Sequence, residues 1–325
     1  MNIPKVTIII LNWNGKTDTL NCLASLAKLN HSNFEVIMVD NGSSDDSIEA
    51  ISEQFPDIYI IATGKNLGYA GGNNVGIKAA LERDADYLLI LNNDTQVDPD
   101  LLTRLCEATE RHPLDTVFGP RIFYTEQPHK IWFSSAHWNS NTIVYDFIGQ
   151  GLVESDLPSG DIDSDYICGA GFFCSADLFR KVGFFEERFF LVYEESDWCQ
   201  RARRLGSRCI TVSDAKIWHA VAASFGTEES PLRTYFSTRN KLFWAERNLS
   251  RSDHFKILKR SLRCYLPRIR INSDKNINLP KRILWALMAS TRHWSNPVFR
   301  AKQIGVRDYI LRRFGDCPTS VRDLS

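Results

Sequence analysis

The chain has 325 residues, of which 43% are hydrophobic and 24% are charged, and its formal net charge at neutral pH is zero. This composition is typical of a soluble globular protein and excludes a disordered, collagen-like or disulfide-scaffold chain. Residues 226–325 carry 21 Lys and Arg against 8 Asp and Glu, which leaves 18 basic and 31 acidic residues for positions 1–225. We therefore predict an acidic N-terminal domain, residues 1–226, and a basic, mainly helical C-terminal region, residues 227–325.

Four apolar runs in the first hundred residues alternate with helical patterns. The runs that predict strands are residues 6–11, 36–40, 58–62 and 87–91. Continuous rather than alternating apolar strands, separated by helices, indicate a parallel sheet that is covered on both faces. The sequence therefore predicts a doubly wound α/β domain of Rossmann-like type.

The later pattern is less regular. Residues 120–165 predict edge strands and loops, and residues 165–183 predict a strand, a glycine turn and a short helix. Residues 196–206 predict a helix with Trp198, Ala202 and Leu205 facing inward, which ends at Gly206. Residues 208–212 and 215–220 predict the last strands of the domain, and the chain becomes helical from about residue 230.

Amide and carboxylate side chains follow each predicted strand of the first hundred residues. These are Asn12 and Asn14, Asp40 and Asn41, Asn66, and Asn92, Asn93 and Asp94. A single Asn or Asp at such a place is most often explained by a turn. Ligands of open α/β sheets bind beyond the carboxyl ends of the strands, so four such ends in succession predict a ligand site.

Neither standard phosphate-binding motif is present. A dinucleotide fold would place G-x-G-x-x-G after the first strand, where this chain has NWNGKT, and no P-loop motif occurs. Asp94 instead offers a hard oxygen ligand beside Asn92, which suits Mg²⁺ or Mn²⁺ bridging a diphosphate. A lone histidine at a strand end, such as His219, is most often structural, but with a metal nearby it is a candidate third ligand.

A second acidic cluster lies in LVYEESDW, residues 191–198. Carboxylates at the start of a helix are favoured by the helix dipole, which is the better explanation for Asp197. The adjacent Glu194 and Glu195 follow an apolar segment and are candidates for a general base that takes a proton from an acceptor hydroxyl.

Together these segments resemble the family 2 glycosyltransferases, which have the GT-A fold, and within them the bacterial rhamnosyltransferase branch. The matching stretches are TIIILNWNG (7–15), FEVIMVDNGSSDDS (34–47), NLGYAGGNNVGI (66–77), DYLLILNNDTQVDPD (86–100), residues 168–206 and IWHAVAASFG (217–226). They cover about two-thirds of the chain in the family's order.

The resemblance implies an inverting transferase that uses a nucleotide-diphosphate sugar. It assigns the pyrimidine base to Asp40, with Asn12 and Trp13 lining the pocket, and it places Asn66 and Asn74 beside the nucleotide. Asn92-Asn93-Asp94 stands at the family's metal motif. Asp94 would then be the metal ligand, Asn92 and His219 would complete the site, and Asn93 would face the nucleotide.

The resemblance also assigns the base and the acceptor site. Glu195 takes the base position of the family's Glu-Asp pair, and because this chain has Glu194-Glu195 there, either glutamate could be the base. The acceptor is expected over the loop at Gly169 and near Trp198.

The donor, the acceptor and the wider function class stay open from the sequence alone. dTDP-rhamnose fits the branch and a UDP-hexose is its main competitor, with a saccharide or a lipid-linked saccharide as acceptor. A nucleotidyltransferase and a non-catalytic carbohydrate-binding protein are the alternatives on such a fold. Nucleic acid is not expected, because the acidic body would oppose it.

The basic tail and the scattered cysteines bear on location and partners. Residues 254–271 and 279–294 mix Lys and Arg with large apolar residues, which suits a helix in a membrane interface, although a solvated packing helix or an oligomer contact has the same composition. The eight cysteines include no C-x-x-C pair, and the apolar run 6–11 is too short for a signal peptide. We expect reduced thiols and a cytoplasmic protein at the inner face of the membrane.

Overall fold

The computed structural model describes residues 3–220, 230–265 and 295–324. The chain divides into two compact units, Met1–Ala223 and Ser224–Ser325. The strands are β1 Val6–Asn12, β2 Phe34–Asp40, β3 Tyr59–Ala62, β4 Tyr87–Asn92, β5 Thr95–Val97, β6 Val117–Tyr124, β7 Ile131–Phe133, β8 Ser135–Asn139, β9 Val144–Ile148, β10 Asp161–Ser164, β11 Gly171–Ser175 and β12 Cys209–His219. The helices are α1 Lys16–Leu26, α2 Ser47–Gln54, α3 Gly68–Glu82, α4 Leu101–Arg111, α5 Ala176–Val182, α6 Glu194–Arg204, α7 Pro231–Asn248, α8 Arg251–Leu262, α9 Pro297–Ile310 and α10 Thr319–Arg322.

The first unit is built on a ten-stranded mixed sheet with the main order β10-β12-β6-β11-β4-β1-β2-β3. Strands β4, β1, β2 and β3 run parallel, and so do β6 and β12. Strand β11 lies antiparallel between β4 and β6, so it divides the parallel strands into two blocks. Strands β8 and β9 form a separate two-stranded sheet. The predicted doubly wound, mainly parallel fold is confirmed.

The centre of the sheet is fully buried. In β1 the side chains of Val6, Ile8, Ile9 and Ile10 have no exposed surface, as expected for β-branched residues with helices on both faces. The predicted buried strand at 58–62 is different, because β3 is the last strand of the sheet and Tyr59 is 47% exposed.

Two further details of the prediction need correction. Leu205 is 48% exposed rather than inward-facing, because α6 ends at Arg204 and the chain turns away there. The two predicted strands at 208–212 and 215–220 are one strand, β12, whose register shifts between Val212 and Lys216. All eight cysteines lie in the described residues and are free thiols. Among the described residues, no helix is both long enough and apolar enough to span a bilayer.

The described part of the second unit is helical. Helix α7 begins with the sequence Ser-Pro, where Ser230 Oγ accepts from the backbone N–H of Arg233 at 3.2 Å and Pro231 occupies the first turn. Its core contains Arg239, which is fully buried and donates to the carbonyl of Gly315 at 2.6 Å. Part of the predicted membrane-interface segment 254–271, and all of 279–294, lie outside the described residues.

Candidate active site

The carboxyl ends of β1, β2 and β4 lie side by side at one edge of the sheet. In the parallel registers Asn12 is opposite Asp40, and Leu11 is opposite Asn92. The polar residues that follow these strands in the sequence are therefore neighbours in space. This is the edge at which open α/β sheets bind ligands.

Asn12 holds Asp40 in place. Its Nδ2 donates to Asp40 Oδ1 at 3.0 Å, and its Oδ1 accepts from Thr19 Oγ1 at 2.9 Å and from the Gly15 backbone N–H at 3.2 Å. Asn12 has no exposed surface. The structure therefore corrects the expectation that its side chain lines the nucleotide pocket, since it orients the carboxylate of Asp40 from behind. The other Asp40 oxygen accepts from the backbone N–H of Ser43 at 3.0 Å.

Trp13 is the exposed aromatic residue beside this pair. It directly follows Asn12 and is 47% exposed, although large aromatic side chains usually bury most of their surface. An exposed indole next to an oriented carboxylate can stack on a nucleobase while the carboxylate accepts from the base edge. Trp13 and Asp40 thus remain candidates for the base site.

Asn66 and Asn74 bond to protein groups. The Asn66 carbonyl oxygen accepts from the backbone N–H of Gly68 at 2.8 Å. Asn74 exchanges two hydrogen bonds of 3.0 Å with the backbone of Phe185 and is 8% exposed. The expectation that Asn74 contacts the nucleotide is therefore corrected, because its amide fastens α3 to the loop before α6. Asn66 shapes the turn that starts α3.

A carboxylate and an imidazole face each other where β4 and β12 end. His219 Nε2 lies 3.1 Å from Asp94 Oδ1 and 3.3 Å from Asn92 Nδ2. Asp94 Oδ1 is buried and has no hydrogen-bond partner among the described residues. Its approach to His219 Nε2 is therefore a close contact and not a hydrogen bond. Asn93 donates to Thr19 Oγ1 at 3.0 Å, behind this pair.

These residues fit a divalent cation. A buried carboxylate oxygen without a hydrogen bond is a free cation ligand, and a facing imidazole nitrogen suits Mn²⁺ more than Mg²⁺. Within residues 3–220, 230–265 and 295–324, no group of three or more His, Cys, Asp or Glu side chains is placed to hold a metal. Asp94 and His219 would be the main protein ligands, and a diphosphate would supply further oxygens.

Trp132 is a neighbour of this pair that the sequence reasoning missed. Its ring centroid lies 4.7 Å from that of His219, with the planes at 58°. In β7 the side chains of Ile131 and Phe133 are buried while Trp132 is half-buried. The alternation of a three-residue strand is too short to mark Trp132 in advance.

Glu194 and Glu195 stand at the first turn of α6. Glu194 is 3% exposed, whereas Glu195 is half-buried. The preceding residues Val192 and Tyr193 adopt φ values of 70° and 82°, which is unusual for non-glycine residues and sets the angle at which the helix begins. The backbone therefore turns sharply to present the two carboxyl groups.

The two neighbouring carboxyl groups affect each other's ionisation. Burial raises the pKa of Glu194 well above its usual range, and the neighbouring Glu195 raises it further. Burial also raises the pKa of Glu195, but hydrogen bonds from Glu194 and from the backbone of Gly169 and Ser196 oppose that rise. The pKa of each glutamate is therefore raised, and the two carboxyl groups lose their protons as an interacting pair.

The two residues expected at the acceptor are both buried. Trp198 has no exposed surface, and its indole N–H donates to the Gly183 carbonyl at 2.6 Å. Its ring packs at 4.8 Å from that of Phe179. Trp198 is thus a core residue, and the expectation that it contacts the acceptor is corrected. Gly169 is also buried.

The raised pKa of Glu194 makes stability depend on pH. Because the pKa of Glu194 is raised in the folded protein, the folded state holds a proton that the unfolded state has lost, so stability falls as pH rises. Glu194→Gln should therefore reduce the drop in melting temperature between about pH 5 and about pH 8, as measured by thermal unfolding. The exposed Glu49→Gln serves as control, and an equal drop in both variants would contradict the assignment.

Comparison with known proteins identifies a family for this arrangement. The model of Glycosyl transferase family 2 matches residues 7–179, more than half of the chain. The N-acetylglucosaminyl-diphospho-decaprenol L-rhamnosyltransferase of Mycobacterium tuberculosis is 26% identical over 251 residues, which cover 70% of this chain and 79% of the relative. The dTDP-rhamnosyl transferase RfbF of Shigella flexneri is 23% identical over 248 residues, 74% of this chain and 79% of the relative.

A solved structure supports the fold. The mannosyltransferase PcManGT from Pyrobaculum calidifontis, solved in complex with GDP-Man and Mn²⁺, matches with a TM-score of 0.58 at 15% identity. The match covers 96% of this chain and 89% of that one. At this identity the likeness establishes the architecture alone. The resemblance to family 2 near the rhamnosyltransferase branch is confirmed by the family match and the two relatives.

Proposed function

The chain belongs to glycosyl transferase family 2, and we propose that it is an inverting transferase that moves L-rhamnose from dTDP-rhamnose to a hydroxyl group of a saccharide acceptor. The acceptor is a glycan or a lipid-linked saccharide in cell-surface polysaccharide synthesis. Two relatives support this choice, since one is named as a dTDP-rhamnosyl transferase and the other as acting on a diphospho-decaprenol.

One observation carries the proposal. The Tyr69 hydroxyl donates to the Gly169 carbonyl at 2.7 Å, and the next carbonyl of the same turn, that of Ala170, accepts from the Asn92 N–H at 3.3 Å. Asp94 follows β4, the glutamates begin α6, and Tyr69 is in the first turn of α3. The turn before β11 thus links the end of β4, which Asp94 follows, to the start of α3, and this supports a donor site at that edge of the sheet.

In the proposed reaction, Glu195 is the general base. Its ionised carboxylate takes the proton of the acceptor hydroxyl, whose oxygen attacks the anomeric carbon on the face opposite the leaving group. The bond from that carbon to the diphosphate oxygen breaks in the same displacement, so the configuration inverts. Asp40 and Trp13 would hold the base, and Asn93 would face the nucleotide beside them.

Asp94 and His219, with Asn92 beside them, would hold Mg²⁺ or Mn²⁺. When bound, such a cation supplies positive charge against the negative charge that develops on the leaving nucleoside diphosphate. Of the two ions, Mn²⁺ is the better match to a site with an imidazole ligand.

Calorimetric titration tests the donor and the cation site together. We expect dTDP-rhamnose to bind wild-type protein more tightly with Mg²⁺ or Mn²⁺ than without. Asp94→Ala should remove this metal-dependent gain, which we expect to be roughly tenfold or more, about 1.4 kcal/mol. Asp57→Ala, an exposed substitution before the start of β3, should retain it. If the affinity for dTDP-rhamnose changes neither with the metal nor with the Asp94→Ala substitution, the cation site is refuted.

The same titration separates the alternatives. Tight binding of UDP-sugars with no binding of dTDP-rhamnose would favour a UDP-hexose transferase. A nucleotidyltransferase needs basic groups free for a triphosphate after β1, whereas Lys16, the lysine there, pairs with Asp46 at 2.8 Å. A carbohydrate-binding protein without activity would bind its ligand equally well after substitution of Asp94, Glu195 or His219.

We further propose that the C-terminal region rests on the inner face of the cell membrane. Helix α8 and the turn after it expose Phe255 at 64%, Leu262 at 39% and Tyr265 at 41%. Lys256, Lys259 and Arg260 are exposed on the same helix, a mixture that favours an anionic lipid surface. Sedimentation with anionic and with neutral vesicles measures this contact, and equal recovery on both would refute it.

A further inference from the structure

A chain of hydrogen bonds runs from the residue after β4 to the carboxylate at the end of β2. Asn93 Nδ2 donates to Thr19 Oγ1 at 3.0 Å, and Thr19 Oγ1 donates to Asn12 Oδ1 at 2.9 Å. Asn12 Nδ2 then donates to Asp40 Oδ1 at 3.0 Å. Thr19 and Asn12 have no exposed surface, and Asp40 is 2% exposed. Thr19, in the first turn of α1, is therefore the middle link between the proposed cation motif and the proposed base site.

A backbone group fixes the direction of each hydrogen bond in this chain. The Gly15 N–H can only donate, and it donates to Asn12 Oδ1 at 3.2 Å. The Asn12 carbonyl oxygen therefore faces α1, and its NH₂ group faces Asp40. A hydroxyl group has one proton, and Thr19 uses it on Asn12, so the hydroxyl oxygen has to accept from the NH₂ group of Asn93. Reversing the Asn12 amide would place two donors, its own NH₂ and the Gly15 N–H, against each other.

Gly15 leaves the room that this chain of hydrogen bonds needs. A Cβ at Gly15 would lie 2.5 Å from Asn93 Nδ2 and 3.2 Å from Asn12 Oδ1. The first distance is well below van der Waals contact, so a side chain at this position would push the Asn93 amide away from Thr19. The segment NWNGKT thus has its glycine where two amides converge on one hydroxyl group.

We propose that Thr19 is a positioning residue for the nucleobase site: its hydroxyl holds the Asn12 amide so that the Asp40 carboxylate keeps one orientation toward the base. This inference rests on the proposed assignment of the nucleobase to Asp40. The Ser43 N–H holds the second Asp40 oxygen at 3.0 Å, and Thr19 controls the hold on the first. Thr19 is fully buried and acts only through Asn12. Valine would fill the same space without the hydroxyl, and Asn12 Oδ1 would then keep only the Gly15 N–H as its donor.

The first test measures the Asn12 amide directly and needs no ligand. In protein labelled with ¹⁵N at the asparagine side chains, NMR measures how fast the amide protons exchange with solvent, and Asn12→Ser assigns the signal. Thr19→Val should speed exchange at Asn12 roughly three- to tenfold, because the oxygen that anchors this amide loses one of its two donors. The matched control is Thr7→Val, which removes an equally buried hydroxyl that donates to Glu35 at 2.9 Å. An Asn12 amide that exchanges at the wild-type rate in Thr19→Val would overturn the proposal.

The second test measures nucleotide binding by calorimetric titration with dTDP and with UDP, in the absence of metal. Thr19→Val should lower the affinity roughly tenfold, whereas Thr19→Ser, which keeps the hydroxyl, should bind within about twofold of wild type. Thr7→Val should bind as wild type does. In an Asp40→Asn background, Thr19→Val should cost no further affinity, because Thr19 acts through Asp40. An equal loss of affinity in both backgrounds would overturn the proposal.

The outcomes separate this inference from the proposed function. Wild-type protein that binds neither dTDP nor UDP refutes the nucleobase site, and the positioning role of Thr19 falls with it. Wild-type binding that is unchanged in Thr19→Val refutes the positioning role alone. Thr19→Ala, which also lacks the hydroxyl, gives the same comparison if valine prevents folding.

Discussion

Replacing Glu195 by glutamine should lower kcat for sugar transfer by roughly 10²–10⁴-fold, the usual contribution of a positioned general base. Glutamine keeps the size of the side chain, but it does not take a proton from the acceptor. Donor affinity should be unchanged, since the role proposed for Glu195 is toward the acceptor. Steady-state transfer assays and calorimetric titration with donor measure the two quantities separately.

Glu194→Gln is the matched control for this substitution. Because Glu194 is the neighbour of the proposed base and an amide at 194 keeps the size of that side chain, most of the activity should survive. A loss of kcat confined to Glu194→Gln would assign the base to the other glutamate.

The same reasoning predicts the acid limit of the reaction. Transfer requires ionised Glu195, whose pKa is raised by burial. As pH falls, activity should therefore be lost at a pH above about 4.3, the ordinary pKa of a glutamate.

Gly68→Ala should destabilise the first unit strongly, with an expected loss of roughly 2–4 kcal/mol in the free energy of unfolding. Gly68 has a φ of +73°, and a Cβ there would lie 2.6 Å from Cγ and Cδ2 of Phe190. The Phe190 carbonyl also accepts from the Ala70 N–H at 3.2 Å. The substitution therefore strains the start of α3 and pushes it away from the loop that precedes Glu194.

Gly64→Ala separates these two causes. Gly64 has almost the same φ, +71°, but an added Cβ would meet no atom within 4 Å. Gly64→Ala should lower the free energy of unfolding only by the cost of a left-handed backbone conformation, about 1–2 kcal/mol. Thermal unfolding of both variants measures the difference. Equal melting temperatures would show that Phe190 moves away from the added methyl group at little cost in stability.

The central strands were predictable because burial on both faces leaves a direct record in the sequence. VTIIILN and YLLILN are apolar runs that end in amides, and they became β1 and β4. The edge strand β3 has the same apolar run, IYIIA, but one side of it has no neighbouring strand. The sequence of a strand shows how apolar the strand is, but it does not show which strands pair with it. The exposure of β3 could therefore not be predicted.

The candidate site was predictable where a side chain sits at the end of an element. Asp94, His219 and Glu195 follow or begin regular structure, and that position marked them. The sequence could not tell which polar side chains would be turned inward, so Asn12 and Asn74 were expected at the ligand and are instead bonded to protein groups. Tyr69 and Trp132 were missed because their importance comes from contacts with residues 100 and 87 positions away.

The pairing of β12 with β5 has a consequence for redesign. His219 is opposite Thr95, and the Ala220 N–H donates to the Asp94 carbonyl at 2.9 Å, so backbone bonds set the spacing of the proposed cation ligands. Trp13 follows β1 and Asp40 ends β2, and these two strands take no part in this pairing. Under the proposed assignment of the base site, substitutions at the ends of β1 and β2 should change the preference for one nucleobase over another while the spacing of the proposed cation ligands is kept. The two halves form separable modules of a single sheet.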